Sequence, residues 1–171
     1  MKIYMAGGIF FLGDKFRNDY VYNKLKTAFP EADIYDPLQN TDINGVEGKK
    51  KFADAIMIAK ADNDRLDNCD VLVACIDGDV LPSGTCAEIG KFHEKIAQGA
   101  NKLLIGLCTD NRQCYLTHSL EKDMGGATRL GNQQYSYQNL YVTGLIMEVG
   151  HLVSTIDEAL EIILNFKENK K

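Results

Sequence analysis

The sequence predicts an open, mostly parallel α/β sheet with helices on both faces, in a flavodoxin-like strand order. Three observations predict it. Short apolar runs alternate with longer amphipathic segments, the pattern of repeated β–α units. The run from Asp70 to Asp77 is continuously apolar between its two aspartates, as in a strand buried on both faces. Turn-rich loops follow the apolar runs at 3–6 and 70–77, beginning Gly7-Gly8 and Gly78.

The elements follow in order. Residues 3–6 form a first strand ending in Gly7-Gly8. A helix is expected over 15–29, with Phe16, Tyr20, Leu25 and Phe29 on one face, and Pro30 stops it. Residues 33–36 are a second strand closed by Pro37. Residues 39–50 read as a long polar loop of the functional kind, and 52–68 as a helix. After the strand at 70–77 a loop, 78–84, leads into a helix over 85–98 that Gly99 ends. Residues 102–108 are another strand. The polar stretch 109–138 carries weak structural signals, and 140–147 is short and apolar. The last helix opens with capping-box spacing, either Ser154 to Asp157 or Thr155 to Glu158. No repeat or internal boundary divides the chain, so one domain over 1–171 is expected.

Composition narrows the function. The chain has 171 residues, 25% of them charged, and a formal net charge of −5. A mildly acidic surface does not attract a phosphate backbone, which argues against a nucleic-acid polymer as partner. No apolar run approaches the roughly 20 residues of a membrane span, and residues 1–8 read as a strand and turn rather than a signal peptide. The five cysteines lack C-x-x-C spacing and suit reduced, buried thiols in the cytoplasm. The three histidines stand apart from one another and from the cysteines, so no metal site is expected. Gly7-Gly8-Ile9-Phe10 lacks the spacing of a dinucleotide fingerprint. A phospho-acceptor role for Asp77 would need an acidic pair after the first strand, and none follows it.

The chemistry concentrates in the run 77–90, which follows the clearest strand and opens a helix. In open α/β sheets ligands bind beyond the carboxyl ends of the strands. That places Glu88 at the ligand edge, in the first turn of its helix, where the helix dipole favours its anionic form. A stabilised, oriented carboxylate can attack an anomeric carbon. Phe10 and Phe11, beside the glycines, either stack on a base or pack into the core.

The wider pattern is more specific than any one piece. Tyr4 and Gly7-Gly8, then Asn63-Asp64, then Ser83-Gly84-Thr85-x-x-Glu88-Ile89-Gly90, then Asn139-Leu140-Tyr141-Val142-x-Gly144 together resemble the nucleoside 2-deoxyribosyltransferases over about residues 3–147. The resemblance implies that Glu88 is the nucleophile that holds a covalent deoxyribosyl-enzyme before a second base takes the sugar with net retention. It implies that the Tyr4 hydroxyl orients Glu88 and that Asp64 assists the sugar and the leaving base. Gly7, Gly8, Ser83 and Gly84 would lie along the substrate. Asn139 would bind the sugar 5′-hydroxyl of a neighbouring subunit with Tyr141 beside it, which requires a homo-oligomer with shared sites. The substrates would be a deoxynucleoside and a free nucleobase, and no cofactor is implied.

One position departs from the family. Pro82 stands where an aspartate often contacts the base, and Asp77 or Asp79 is left to supply a carboxylate from the same loop. Two other readings stay open beside transfer. One is hydrolysis of a nucleoside or nucleoside 5′-monophosphate, with Arg17, Arg112 or Arg129 available to a phosphate. The other is a nucleotide-binding sensor without turnover, which Pro82 favours and a retained Tyr4, Asp64 and Glu88 oppose.

Overall fold

The computed structural model describes residues 1–40, 53–78, 80–110 and 138–169. Five strands form one parallel sheet in the order β2-β1-β3-β4-β5. They are β1 (Lys2–Ala6), β2 (Asp33–Tyr35), β3 (Val71–Cys75), β4 (Leu103–Leu107) and β5 (His151–Val153). The helices are α1 (Leu12–Ala28), α2 (Ala55–Asn68), α3 (Ser83–Ala97), α4 (Leu140–Val149) and α5 (Ile156–Asn169). The predicted fold class and strand order are those observed.

Alternation along each central strand divides the core in two. Ile3, Met5, Val71, Val73, Ile105 and Leu107 face α1 and α5, meeting Val21, Leu25, Ala159 and Ile163. Tyr4, Ala6, Leu72, Ala74 and Leu104 face α2, α3 and α4, meeting Leu66, Ile89, Phe92 and Ile146. All five residues of β3 and of β4 are buried, as expected for parallel strands covered on both sides.

Several boundaries and faces differ from expectation. Helix α1 starts earlier, at Leu12, and buries Asn18, Val21 and Leu25. Phe16 and Tyr20 are 66% and 54% exposed, so the predicted apolar face is rotated away from the core at its N-terminal half. The apolar run at 140 is a helix, and the short strand β5 behind it carried no sequence signal of its own. Gly150 joins the two: a Cβ there would lie 2.2 Å from the Leu104 carbonyl oxygen. Of the two capping-box spacings, the Thr155–Glu158 pair forms; Thr155 Oγ1 accepts from the Glu158 amide at 3.2 Å and Glu158 Oε2 from the Thr155 amide at 3.3 Å. Most of the expected loop at 39–50 and of the stretch at 109–138 lies outside the described residues. Among the described residues no helix is long and apolar enough to cross a membrane.

Candidate active site

The strand order reverses between β1 and β3. In this architecture the crevice for a ligand opens there, beyond the carboxyl ends of the two strands. The loop after β1 and the segment joining β3 to α3 border it. Tyr4 lies within β1 on the face covered by α2, α3 and α4 and is fully buried. Helix α3 crosses the same face, held by buried Thr85, Ile89 and Phe92, and delivers Glu88 to that tyrosine. The Tyr4 hydroxyl donates to Glu88 Oε1 at 2.6 Å.

A second carboxylate joins this pair, and it is Asp62. Its Oδ1 accepts from the Tyr35 hydroxyl at 2.9 Å, and its charge acts on both Tyr4 and Glu88. Asp64, the expected partner, is exposed. Two residues along a helix turn the side chain by about 200°. Asp64 accordingly faces a different pocket, shared with Lys2, Asp33 and Arg65 near the first residues of β1 and β2. The readable signal was Leu66, the residue of α2 that enters the core: Asp62 lies four positions before it, on the same helix face.

Burial dominates the electrostatics. Loss of solvent pushes the Glu88 carboxyl up to about 7; the hydrogen bond from Tyr4 opposes the rise and the charge of Asp62 adds to it. The expected dipole effect does not prevail. Helix α3 begins at Ser83, so Glu88 sits in its second turn, beyond the orphan amides that carry the dipole's positive end. Burial likewise raises Asp62, against the hydrogen bond from Tyr35 and the nearby Tyr4 hydroxyl. Tyr4 itself is held far above the ordinary phenol range by burial, by the Glu88 charge and by the hydrogen bond to it, so it remains a proton donor.

The surrounding loops have their own supports. A Cβ on Gly8 would meet Asp14 Oδ2 at 2.5 Å, and the Gly8 carbonyl accepts from Asn18 Nδ2 at 3.1 Å and from the Arg17 guanidinium at 3.2 Å. Gly8 therefore seats the loop on α1, and Gly7 packs against Arg17 and Cys75. Phe10 and Phe11 are 85% and 77% exposed, which removes core packing as their role. Asp77 is tied to the next loop: its carboxylate accepts from the Thr109 amide at 2.5 Å and hydroxyl at 2.8 Å. Pro82 is the N-cap of α3, and Ser83 and Gly84 are exposed in its first turn. Asn139 caps α4, its Oδ1 accepting from the Tyr141 amide at 3.0 Å and the Val142 amide at 3.2 Å, while the Tyr141 side chain is exposed. Asp79, Arg112 and Arg129 lie outside the described residues. No group of three or more potential metal ligands is assembled among the described residues.

The family model described as Nucleoside 2-deoxyribosyltransferase matches residues 3–156. The chain belongs to the nucleoside 2-deoxyribosyltransferase family. Solved structures of similar shape include a conserved protein from Enterococcus faecalis V583, 29% identical, with TM-score 0.72 over 99% of this chain and 98% of that one. A 2-deoxyribosyltransferase from Bacillus psychrosaccharolyticus is 14% identical, with TM-score 0.61 over 94% of this chain and 90% of that one. The 2-desoxiribosyltransferase from Leishmania mexicana is 17% identical, with TM-score 0.59 over 96% and 97%. At these identities the latter two share the fold. No curated protein matches the sequence. As a nucleoside 2-deoxyribosyltransferase by family, the chain has buried Tyr4 and half-buried Asp62 and Glu88 gathered on one face of the sheet, next to the crevice where this fold receives ligands.

Proposed function

We propose that this chain transfers a 2-deoxyribosyl group from one nucleobase to another through a covalent bond between C1′ and Glu88. The observation that carries the reading is the 2.6 Å hydrogen bond from buried Tyr4 to Glu88, with the Asp62 carboxylate close enough to act on both. A carboxylate taken out of water and aimed by one donor is suited to attack an electron-poor carbon. The ionised Glu88 adds to C1′ as the C1′–N bond breaks, and that electron pair leaves with the base. Asp62, when protonated, gives its proton to the departing base, taking the part expected of Asp64. An incoming base then attacks C1′ from the vacated side, returns a proton to Asp62 and releases Glu88. Two inversions give net retention.

The neutral Asn139 amide suits a free 5′-hydroxyl. Arg17, the described arginine that a 5′-phosphate would use, is already paired with Asp14 at 3.2 Å. We assign the reaction to a deoxynucleoside and a free base, with no cofactor, in one domain working in the cytoplasm. Asn139 would reach the site of a second copy, Gly7, Ser83 and Gly84 would lie along the substrate, and Asp79 would face the base beside Pro82. Chromatography of deoxyinosine with added cytosine tests the reading. A new deoxynucleoside that requires cytosine is expected, and Glu88→Ala should abolish it while leaving the circular dichroism spectrum unchanged. Free hypoxanthine without exchange would identify a hydrolase, and tight binding without turnover a sensor.

A further inference from the structure

Tyr35 closes the edge strand β2, register-paired with Tyr4. The two rings pack with centroids 5.0 Å apart at 50°. A phenylalanine would supply the same ring, so packing does not account for the hydroxyl. That hydroxyl is engaged on both sides. It accepts from Asn40 Nδ2 at 3.0 Å and donates its single proton to Asp62 Oδ1 at 2.9 Å. The direction is fixed chemically, because the Asn40 nitrogen only donates and an ionised carboxylate only accepts.

We propose that Tyr35 is a positioning residue for the transfer reaction: with its hydroxyl set by Asn40, it holds one oxygen of Asp62 and fixes how that carboxylate meets the leaving base. The inference rests on the function proposed above and extends it to a residue on a different strand. Three groups face Asp62: Tyr35 from β2, Tyr4 from β1 and the Glu88 charge from α3. Arg65, on the same helix as Asp62, lies 5.1 Å from the Tyr35 ring centroid and so acts on the tyrosine. The hydrogen bond from Tyr35 restrains the rotation of Asp62 and favours its charged form against burial. Without the Tyr35 hydroxyl, Asp62 turns more freely and takes up a proton at higher pH.

The test uses the whole chain and the variants Tyr35→Phe, Asn40→Ala and Asp62→Asn. Carbon-13 NMR of the Asp62 carboxyl, assigned by its loss in Asp62→Asn, reads the clamp independently of activity. Its titration should move upward in Tyr35→Phe, and an unmoved titration overturns the clamp. In the exchange assay Tyr35→Phe should lower kcat about tenfold with little change in KM, a part of what a positioned proton donor contributes. Asn40→Ala should fall between it and the wild type. In an Asp62→Asn background the same Tyr35→Phe change should cost no more than about twofold, because its target is gone. A full further loss in that background overturns the assignment. Exchange that survives in Glu88→Ala would defeat the transfer reading instead, and the carboxyl titration would still decide the clamp.

Discussion

At the scale of single residues, Glu88 is the group whose environment works against its stability and for its chemistry. Its carboxyl ordinarily titrates near 4.5 and is raised by burial to about 7. Since the folded value lies above the unfolded one, its contribution to stability is fully present below about pH 4.5. It falls as pH rises and is lost above about 7, on the order of 3 kcal/mol in all. Glu88→Gln, which keeps an acceptor for Tyr4, should therefore melt higher than wild type at about pH 8, with the gap closing below about pH 4.5. A gap independent of pH would contradict this. The same shift predicts that kcat/KM rises with pH through about 7, as Glu88 ionises. Tyr4→Phe removes a hydrogen bond that lowers the Glu88 value, so that limb should move to higher pH. Asp62→Asn removes a charge that raises it, so the limb should move to lower pH. Movement in the opposite directions would show that these contacts do not set the Glu88 charge. Glu88 and Tyr4 were legible through the family motif, since position alone also allowed a first-turn glutamate and a core aromatic. Asp62 was not distinguished from Asp64 because Asp62, Asp64 and Asp67 share one helix, and only the phase set by Leu66 separates them.

At the scale of elements, α2 is the helix with the thinnest hold on the core. Leu66 is its buried hydrophobic residue, while Ile56 and Ile58 are 68% and 40% exposed. Beside the Tyr35–Asp62 hydrogen bond it has ionic ties: Asp67 accepts from Lys91 at 2.6 Å and Lys95 at 3.1 Å, on α3. Such partly exposed pairs contribute about 0–1 kcal/mol each. Leu66→Ala should cost about 2–5 kcal/mol in chemical denaturation and loosen the placement of Asp62. Lys95→Ala should cost less than about 1 kcal/mol; a larger loss than for Leu66→Ala would mean that the ionic tie, and not the core contact, holds α2. Helices and strands with strong periodicity were read correctly from sequence. The face of α1 was misread because Phe16 and Tyr20 are apolar yet exposed, while polar Asn18 is buried to bond the Gly8 carbonyl. Strand β5 was missed because its three residues gain their pairing from β4, a contact no local pattern encodes.

At the scale of the whole molecule, the fold was legible because alternation of buried strands with helices admits few topologies. The expectation of a second copy at the site rests on the family resemblance alone. Exposed apolar side chains nevertheless occur in two runs, Phe10, Phe11, Leu12 and Phe16 after β1, and Leu140 and Tyr141 beside Asn139. Apolar surface of this kind suits a protein interface. Light scattering should give at least a dimer, and Phe16→Glu should lower the mass and the exchange activity together. A monomeric wild type with full activity would remove the shared-site proposal. The central claim is the bond between the sugar and Glu88. Its most direct test is mass spectrometry of protein acid-quenched with a deoxynucleoside and no acceptor base. The account predicts added mass of one deoxyribosyl group on the peptide that contains Glu88, lost when acceptor is supplied and never formed in Glu88→Ala. Exchange that proceeds while Glu88 stays unmodified, or in Glu88→Ala, would contradict it.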